Sequence, residues 1–202
     1  IKVLRNTIGS TIEIINGHGL QLTCKIVDDH YKRCKVDVIS KKKHLENANY
    51  IHIAMAIPKS SERLEWFIEK ATEIGINRLT LINCEHSERK KFNHKRLEKI
   101  SISALKQCKR YHLPIIDSVV PYEEFMKMYP KGYIGYCNPE KKVHAKEINQ
   151  ALPFLIGPEG DFSSKEIKKA LESGYIAVEL SKNRLRTETA ALTAVFYLSN
   201  LV

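Results

Sequence analysis

The chain has 202 residues, 43% of them hydrophobic and 28% charged, enough apolar material for one medium α/β domain or two small ones, which excludes disorder by composition. No apolar run approaches the roughly 18 residues needed to span a bilayer, and nothing resembles a signal peptide, so a soluble, cytoplasmic protein without a membrane partner is expected. Net charge is +10, and the five cysteines (Cys24, Cys34, Cys84, Cys108, Cys137) are widely spread with no CxxC pair, which argues against a disulfide framework or zinc ribbon and for free, buried thiols.

In chain order, Ile1-Lys2-Val3-Leu4-Arg5 is already strand-like and does not begin with Met, so a further N-terminal strand is expected before it. Residues 1–45 alternate apolar and polar, as in Ile12-Glu13-Ile14, Leu20-Gln21-Leu22 and Val36-Asp37-Val38. Turn residues separate these runs, and Asn16-Gly17 is a strong hairpin signal. The pattern predicts a small antiparallel β module over 1–45, with Lys41–Asn49 as the linker to a second domain over 46–202.

After Lys43 strands and helices alternate. A strand at 50–57, a helix at 61–74 ending on Gly75, a strand at 79–83 and a basic helix at 95–110 come first. They are followed by a strand at 115–119, a helix at 122–128, a strand at 133–136 and a short helix near 144–149. The last elements are a strand at 154–156, a helix at 164–173, a strand at 175–180 and a helix at 187–201. Alternation of this kind implies βαβ units and a parallel sheet covered on both faces. The first turn of this domain, Pro58-Lys59-Ser60-Ser61, has no glycine, which argues against a dinucleotide-binding fold and the ordinary methyltransferase fold. GxxxxGK[ST], GxSxG and HExxH are all absent. The eight histidines do not fall at metal-ligand spacings, so no metal is expected.

Two features point to chemistry. Between Glu88 and His112 nine basic residues face two acidic ones, a concentration of charge that suits phosphate polyanions; a solvated helix face is the alternative. Gly157-Pro158-Glu159-Gly160 and Leu185-Arg186-Thr187-Glu188-Thr189-Ala190 each follow a short apolar run, and loops at the carboxyl ends of parallel strands are where open α/β sheets bind ligands. The first segment reads as a type I turn with Pro at i+1 and Gly at i+3. Its glycines would let backbone approach a planar ligand. It leads into a capping box, Ser163 to Glu166, and in the second segment two threonines could cap the last helix.

These two segments resemble the SPOUT superfamily of knotted methyltransferases, and more closely the bacterial 16S ribosomal RNA (uracil-N3)-methyltransferase family. Further matches are Lys2-Val3-Leu4-Arg5 before the Gly9 and Asn16-Gly17 turns, Ala71-Thr72-Glu73-Ile74-Gly75-Ile76, Ser87-Glu88-Arg89, and Ala104, Gln107 and Arg110 before Pro114. The resemblance covers nearly the whole chain. It departs at Asp161 and Ser181, where the family often has glycine.

The resemblance implies an α/β domain with a C-terminal trefoil knot after a small PUA-like β-barrel, and a homodimer whose active site uses both subunits. It also implies S-adenosylmethionine among three loops. The donor would lie against Ile156, Gly157, Pro158, Glu159 and Gly160, and against Leu180, Ser181, Asn183 and Leu185, with Arg186, Thr187, Glu188 and Thr189 closing the pocket. RNA, as 16S ribosomal RNA or the assembled small subunit, would contact Arg5, Arg89, Lys95, Arg96, Lys99, Lys106, Gln107, Lys109 and Arg110. Arg89 and Arg186 are the candidates for stabilising a uracil anion. Glu159 or Glu188 could accept a proton or orient an arginine, and no general base is assigned. A non-catalytic RNA-binding or ribosome-assembly protein on the same fold, or a methyltransferase acting on another RNA, remain the alternatives.

Overall fold

The Asn16-Gly17 signal is realised as a hairpin. In the computed structural model, which describes residues 6–46, 49–137 and 142–201, β1 (Thr11–Ile15) and β2 (Leu20–Asp28) pair antiparallel, from Thr11 opposite Lys25 to Ile15 opposite Gln21. The loop between them is four residues long. Asn16 Oδ1 accepts the N–H groups of His18 and Leu20 at 2.8 and 3.0 Å, the local bond that asparagine offers a turn. Gly17 and Gly19 hold positive φ values of 74° and 85°, and a Cβ on Gly17 would come within 2.6 Å of Leu113. β3 (Lys35–Lys43) pairs antiparallel with β2, with register shifts at Thr23/Cys24 and Ile26/Asp28.

The chain divides into two compact units, Ile1–Asn47 with Lys109–Leu113, and Ala48–Cys108 with Pro114–Val202. In the first unit, residues 109–113 run beside the hairpin loop: Gly19 N–H donates to the Tyr111 carbonyl at 2.9 Å, and Leu113 N–H donates to that of Gly17 at 2.9 Å. The rings of Tyr111 and His44 stack with centroids 3.4 Å apart.

The second unit is an α/β layer. Its elements are β4 (His52–Ala56), α1 (Ser61–Ile74), β5 (Arg78–Asn83), α2 (His94–Gln107), β6 (Ile115–Ile116), β7 (Val120–Pro121), α3 (Tyr122–Met128) and β8 (Tyr133–Gly135). β9 (Val143–His144), a 3-10 turn at Ala145–Glu147, β10 (Phe154–Ile156), α4 (Ser164–Ser173), β11 (Ile176–Glu179) and α5 (Thr187–Ser199) complete it. The sheet runs β6-β5-β4-β10-β8-β11-β9, with β7 also on β5, and every pairing described in it is parallel. β10 thus lies between β4 and β8, near the middle of the sheet.

Both faces are buried. Along β4, Ile53 and Met55 point into one core with Phe67 and Ile68 of α1 and Val195 and Leu198 of α5; Ala54 and Ala56 point into the other with Phe125 of α3 and Ala170 of α4. Each large side chain in these cores contributes about 1.5–3 kcal/mol by leaving water. Helix starts are fixed by short side chains. Ser60 accepts Glu62 N–H at the head of α1, and Ser163 with Glu166 forms the expected capping box at the head of α4.

A polar network crosses one side of this sheet. Arg78 donates through Nε and Nη2 to the two Asp117 oxygens at 2.8 and 3.0 Å, and the Thr80 hydroxyl donates to Asp117 as well. Thr80 then accepts from His52 Nε2 at 2.8 Å, which places the His52 proton on that nitrogen. Burial, with Arg78 adding to it and Asp117 opposing, pushes the His52 imidazole down to about 4. For Asp117 burial pulls upward, but the hydrogen bonds from Arg78 and Thr80 prevail and hold the carboxyl below its ordinary value.

Four expectations change. The basic helix stops at Gln107 and not Arg110: Cys108 caps it, Lys109 takes φ 56°, and Lys109 and Arg110 leave for the hairpin unit. The strand expected at 115–119 shortens to Ile115–Ile116, with the separate β7 following at Val120–Pro121, and the helix near 144–149 is a single 3-10 turn after an unanticipated β9. Only Cys24 and Cys84 are buried; Cys34 and Cys137 are exposed.

Candidate functional site

A cavity of about 980 Å³ opens at the carboxyl ends of β8, β10 and β11. That is near the upper end of the range for ligand sites, and in the place where parallel sheets hold them. Three segments and one helix wall it: Gly135–Cys137 with Lys142, Ile156–Glu159 with Asp161, Val178–Thr187 with Ala190, and Arg63 from the first turn of α1. Of the thirteen residues expected to hold the donor, Ile156, Gly157, Pro158, Glu159, Leu180, Ser181, Asn183, Leu185, Arg186 and Thr187 line it. Gly160, Glu188 and Thr189 do not.

The turn after β10 is one residue later than its composition suggests. Asp161 N–H donates to the Pro158 carbonyl at 2.9 Å, so Glu159 and Gly160 occupy the corner and Asp161 closes it. The glycines here pack against protein. A Cβ on Gly157 would come 3.0 Å from the Phe162 ring, and one on Gly160 would come 3.2 Å from His86 Cβ. Their small size serves loop packing, and Gly157 also lines the cavity. The α5 threonines do not cap their helix either: Arg186 is the N-cap without a side-chain bond, and the Thr187 hydroxyl donates to the Gly157 carbonyl at 3.2 Å. That bond ties the second loop to the first.

Both glutamates face an arginine the sequence did not single out. Arg63 Nη1 lies 3.7 Å from Glu159 and its Nε lies 3.6 Å from Glu188. Glu159 also accepts Lys59 N–H at 3.0 Å. The Glu188 side chain is 8% exposed, and its Oε2 is buried with no hydrogen-bond partner among the described residues. Arg63 was missed because it sits in the first turn of an ordinary amphipathic helix; its place just past the end of a buried strand was the available signal. Charged groups at the cavity are mixed, with Arg63, Lys142, Lys182, Arg184 and Arg186 set against Glu159, Asp161 and Glu179.

Arg89 is elsewhere. It donates to the carbonyls of Lys91 and Lys59 and lines a second cavity of about 340 Å³, with Phe92, Asn93 and Arg96. The two arginines proposed for anion stabilisation are therefore not brought together in this chain. Lys95, Lys99 and Lys106 recur along one exposed stripe of α2, with Arg96 and Gln107 beside it; Arg96 is engaged by Glu65 at 3.0 Å. Lys109 and Arg110 lie in the other unit, and Arg5 lies outside the described residues. Among the described residues there is no group of three His, Cys, Asp or Glu that could hold a metal ion, and no helix long and apolar enough to cross a membrane.

Residues 45–199 match the model of the RNA methyltransferase domain family. Ribosomal RNA small subunit methyltransferase E of Buchnera aphidicola is 32% identical over 99% of this chain and 83% of its own. Among solved structures, a probable rRNA-methyltransferase from Porphyromonas gingivalis superposes with TM-score 0.89 at 33% identity, over 99% of this chain and 88% of that one. Ribosomal RNA small subunit methyltransferase E from Neisseria gonorrhoeae, solved bound to S-adenosyl methionine, gives 0.85 at 26% identity, over 96% and 84%. With the family model spanning three quarters of its length and such a relative spanning all of it, this chain belongs to the RNA methyltransferase domain family.

Proposed function

We propose that the protein transfers a methyl group from S-adenosylmethionine to N3 of one uridine in 16S ribosomal RNA. The observation that carries this reading is the cavity at the ends of β8, β10 and β11. It lies in a chain similar along its length to proteins named as small-subunit ribosomal RNA methyltransferases, one of them solved with the donor. The cavity suits that donor on its own terms. Its volume admits a nucleoside with an amino-acid tail, its arginines and lysines suit a carboxylate, and Glu159, Asp161 and Glu179 suit cationic centres.

The bound donor supplies an activated sulfonium methyl, so the protein's work is to hold the two reactants and to favour the uracil anion left when N3 loses its proton. Positioning of this kind can contribute on the order of 7–11 kcal/mol. Arg186, exposed at the cavity and at the start of α5, has the fixed charge to stabilise that anion. Glu159 and Glu188 act as anchors for Arg63 and not as proton acceptors. Arg89 sits with the RNA-binding group.

The same reading gives the α/β unit a trefoil knot and assigns 46–202 as the catalytic domain. Residues 1–45 become a PUA-like RNA-binding barrel, and the cytoplasmic enzyme acts as a homodimer with shared active sites on 16S ribosomal RNA or the assembled small subunit. The antiparallel sheet of β1–β3 and the parallel sheet of β4–β11 support it. Exposed Lys95, Lys99 and Lys106, with Arg96, Gln107 and Arg89, suit RNA phosphates, as do Lys109 and Arg110. Mass mapping of ribosomal RNA from cells lacking the protein tests the reading: one N3-methyluridine should disappear. An intact set of modifications, together with no binding of S-adenosylmethionine by calorimetry, would favour a non-catalytic RNA-binding role.

A further inference from the structure

Asp161 holds a backbone conformation that its residue type adopts at a cost. Its φ is +65°, in the left-handed region that side chains with a Cβ rarely enter, although aspartate is among those that tolerate it. Three hydrogen bonds accompany that conformation. Oδ1 accepts the Phe162 N–H at 2.8 Å, next in the chain. Oδ2 accepts the Cys137 N–H at 2.8 Å, 24 residues away in the segment after β8. The Asp161 carbonyl accepts from His86 Nδ1 at 3.1 Å, in the loop after β5, which fixes the His86 proton on that nitrogen.

One residue therefore joins the segments that leave β5, β8 and β10 at their carboxyl ends. Two of those segments wall the large cavity, and both Asp161 and Cys137 line it. The packing beside it leaves little slack, since a Cβ on Gly160 would already press on His86. Partial burial first and then the Asp161 charge push the Cys137 thiol up, so it stays neutral and does not repel the carboxylate at neutral pH. Glycine would take the same φ freely but has no carboxylate to reach Cys137.

We propose that Asp161 is a positioning residue for the methyl donor: its carboxylate clips the Tyr136–Cys137 segment to the turn after β10 and so sets the width of the cavity between them. The inference rests on the reading of that cavity as the donor site. The test compares the full-length protein with Asp161→Gly, Asp161→Asn and Asp161→Ala by calorimetry with S-adenosylmethionine, steady-state kinetics and thermal melts.

Loss of a charge-assisted bond that shapes the pocket should weaken donor binding about tenfold in Asp161→Gly. KM for the donor should rise in step while KM for RNA stays within about twofold, and exchange of the Cys137 amide hydrogen should speed up. Asp161→Ala should bind as weakly and melt lower as well, because alanine keeps the strain without the bonds. Asp161→Asn should fall between, since one amide oxygen can accept from only one of the two sides. Purely structural damage would lower the active fraction, and with it apparent kcat, and leave KM for the donor unchanged. Wild-type binding by Asp161→Gly would overturn the proposal alone. Failure of the wild-type protein to bind the donor would overturn the cavity reading, and this inference with it.

Discussion

The α/β unit carries two clusters of charged and polar side chains, and they are built differently. Around Asp117 the groups are tightly paired. Arg78 reaches both carboxylate oxygens at 2.8 and 3.0 Å, Thr80 donates to one of them, and His52 donates to Thr80 from a site only 3% exposed. Around Arg63 the pairing is loose. Its two glutamates stand at 3.6 and 3.7 Å, beyond good hydrogen-bond length, and one buried Glu188 oxygen has no partner among the described residues. A saturated network belongs to the fold, since adding anything to it would break a bond already made. A loose one with unspent capacity, at the wall of the large cavity, suits the proposed donor site, where a ligand could draw it tighter.

The strongest way to break the first cluster is acid. His52 has its folded value near 4, below its ordinary 6.5, so between those values the unfolded chain binds a proton that the folded chain refuses. The stabilisation is complete above pH 6.5 and is lost as pH falls toward 4. A shift of this size is worth roughly 3 kcal/mol. Urea unfolding from pH 4 to 8 should show that slope in the wild type and a much flatter curve in His52→Gln. Equal slopes in the two would mean that His52 is not the group titrating. Next in size, Asp117→Ala leaves Arg78 and Thr80 without their shared acceptor. Since both ends of the ion pair are partly exposed, about 2–3 kcal/mol of stability should go, with donor binding preserved in the fraction that remains folded. Loss of affinity without loss of stability would reverse the roles assigned to the two clusters.

The same contrast explains how much was legible beforehand. α1 and α4 have the boundaries that the sequence predicts because their stop and start residues are local: Ser60, Ser163 with Glu166, Gly75 and Gly174 lie next to the helices they limit. The end of α2 is not local. Lys109 and Arg110 are good helix formers, and what takes them away is the pairing of Tyr111 and Leu113 with Gly19 and Gly17, some ninety residues upstream. β6, β7 and β9 are two residues each, too short for any periodicity to register. The cavity loops could be read because proline, glycine and the Leu185–Ala190 motif mark them. Arg63 could not, because on one helix it looks like any solvated cation; only folding brings Glu159 and Glu188, both about a hundred residues or more away, to its side. Asp161 could be noticed as unusual in its place, but its bond to Cys137 exists only in three dimensions.

The gentlest test acts on Arg63. Arg63→Ala removes two contacts that are already long, so stability should change by less than about 1 kcal/mol, as for a partly exposed ion pair. Donor affinity should respond more. If the cluster tightens when the cavity is filled, the contacts absent from the free protein are made in the complex, and their loss should weaken S-adenosylmethionine binding about tenfold by calorimetry. Arg63→Lys separates charge from shape. A lysine keeps the charge but cannot present a planar fork to two carboxylates at once, so it should recover only part of the affinity. Should lysine restore all of it, the cluster works as a local charge and its geometry is incidental. Should alanine cost stability and spare binding, Arg63 belongs with Asp117 as a piece of the fold, and the looseness of its contacts reflects nothing more than exposure.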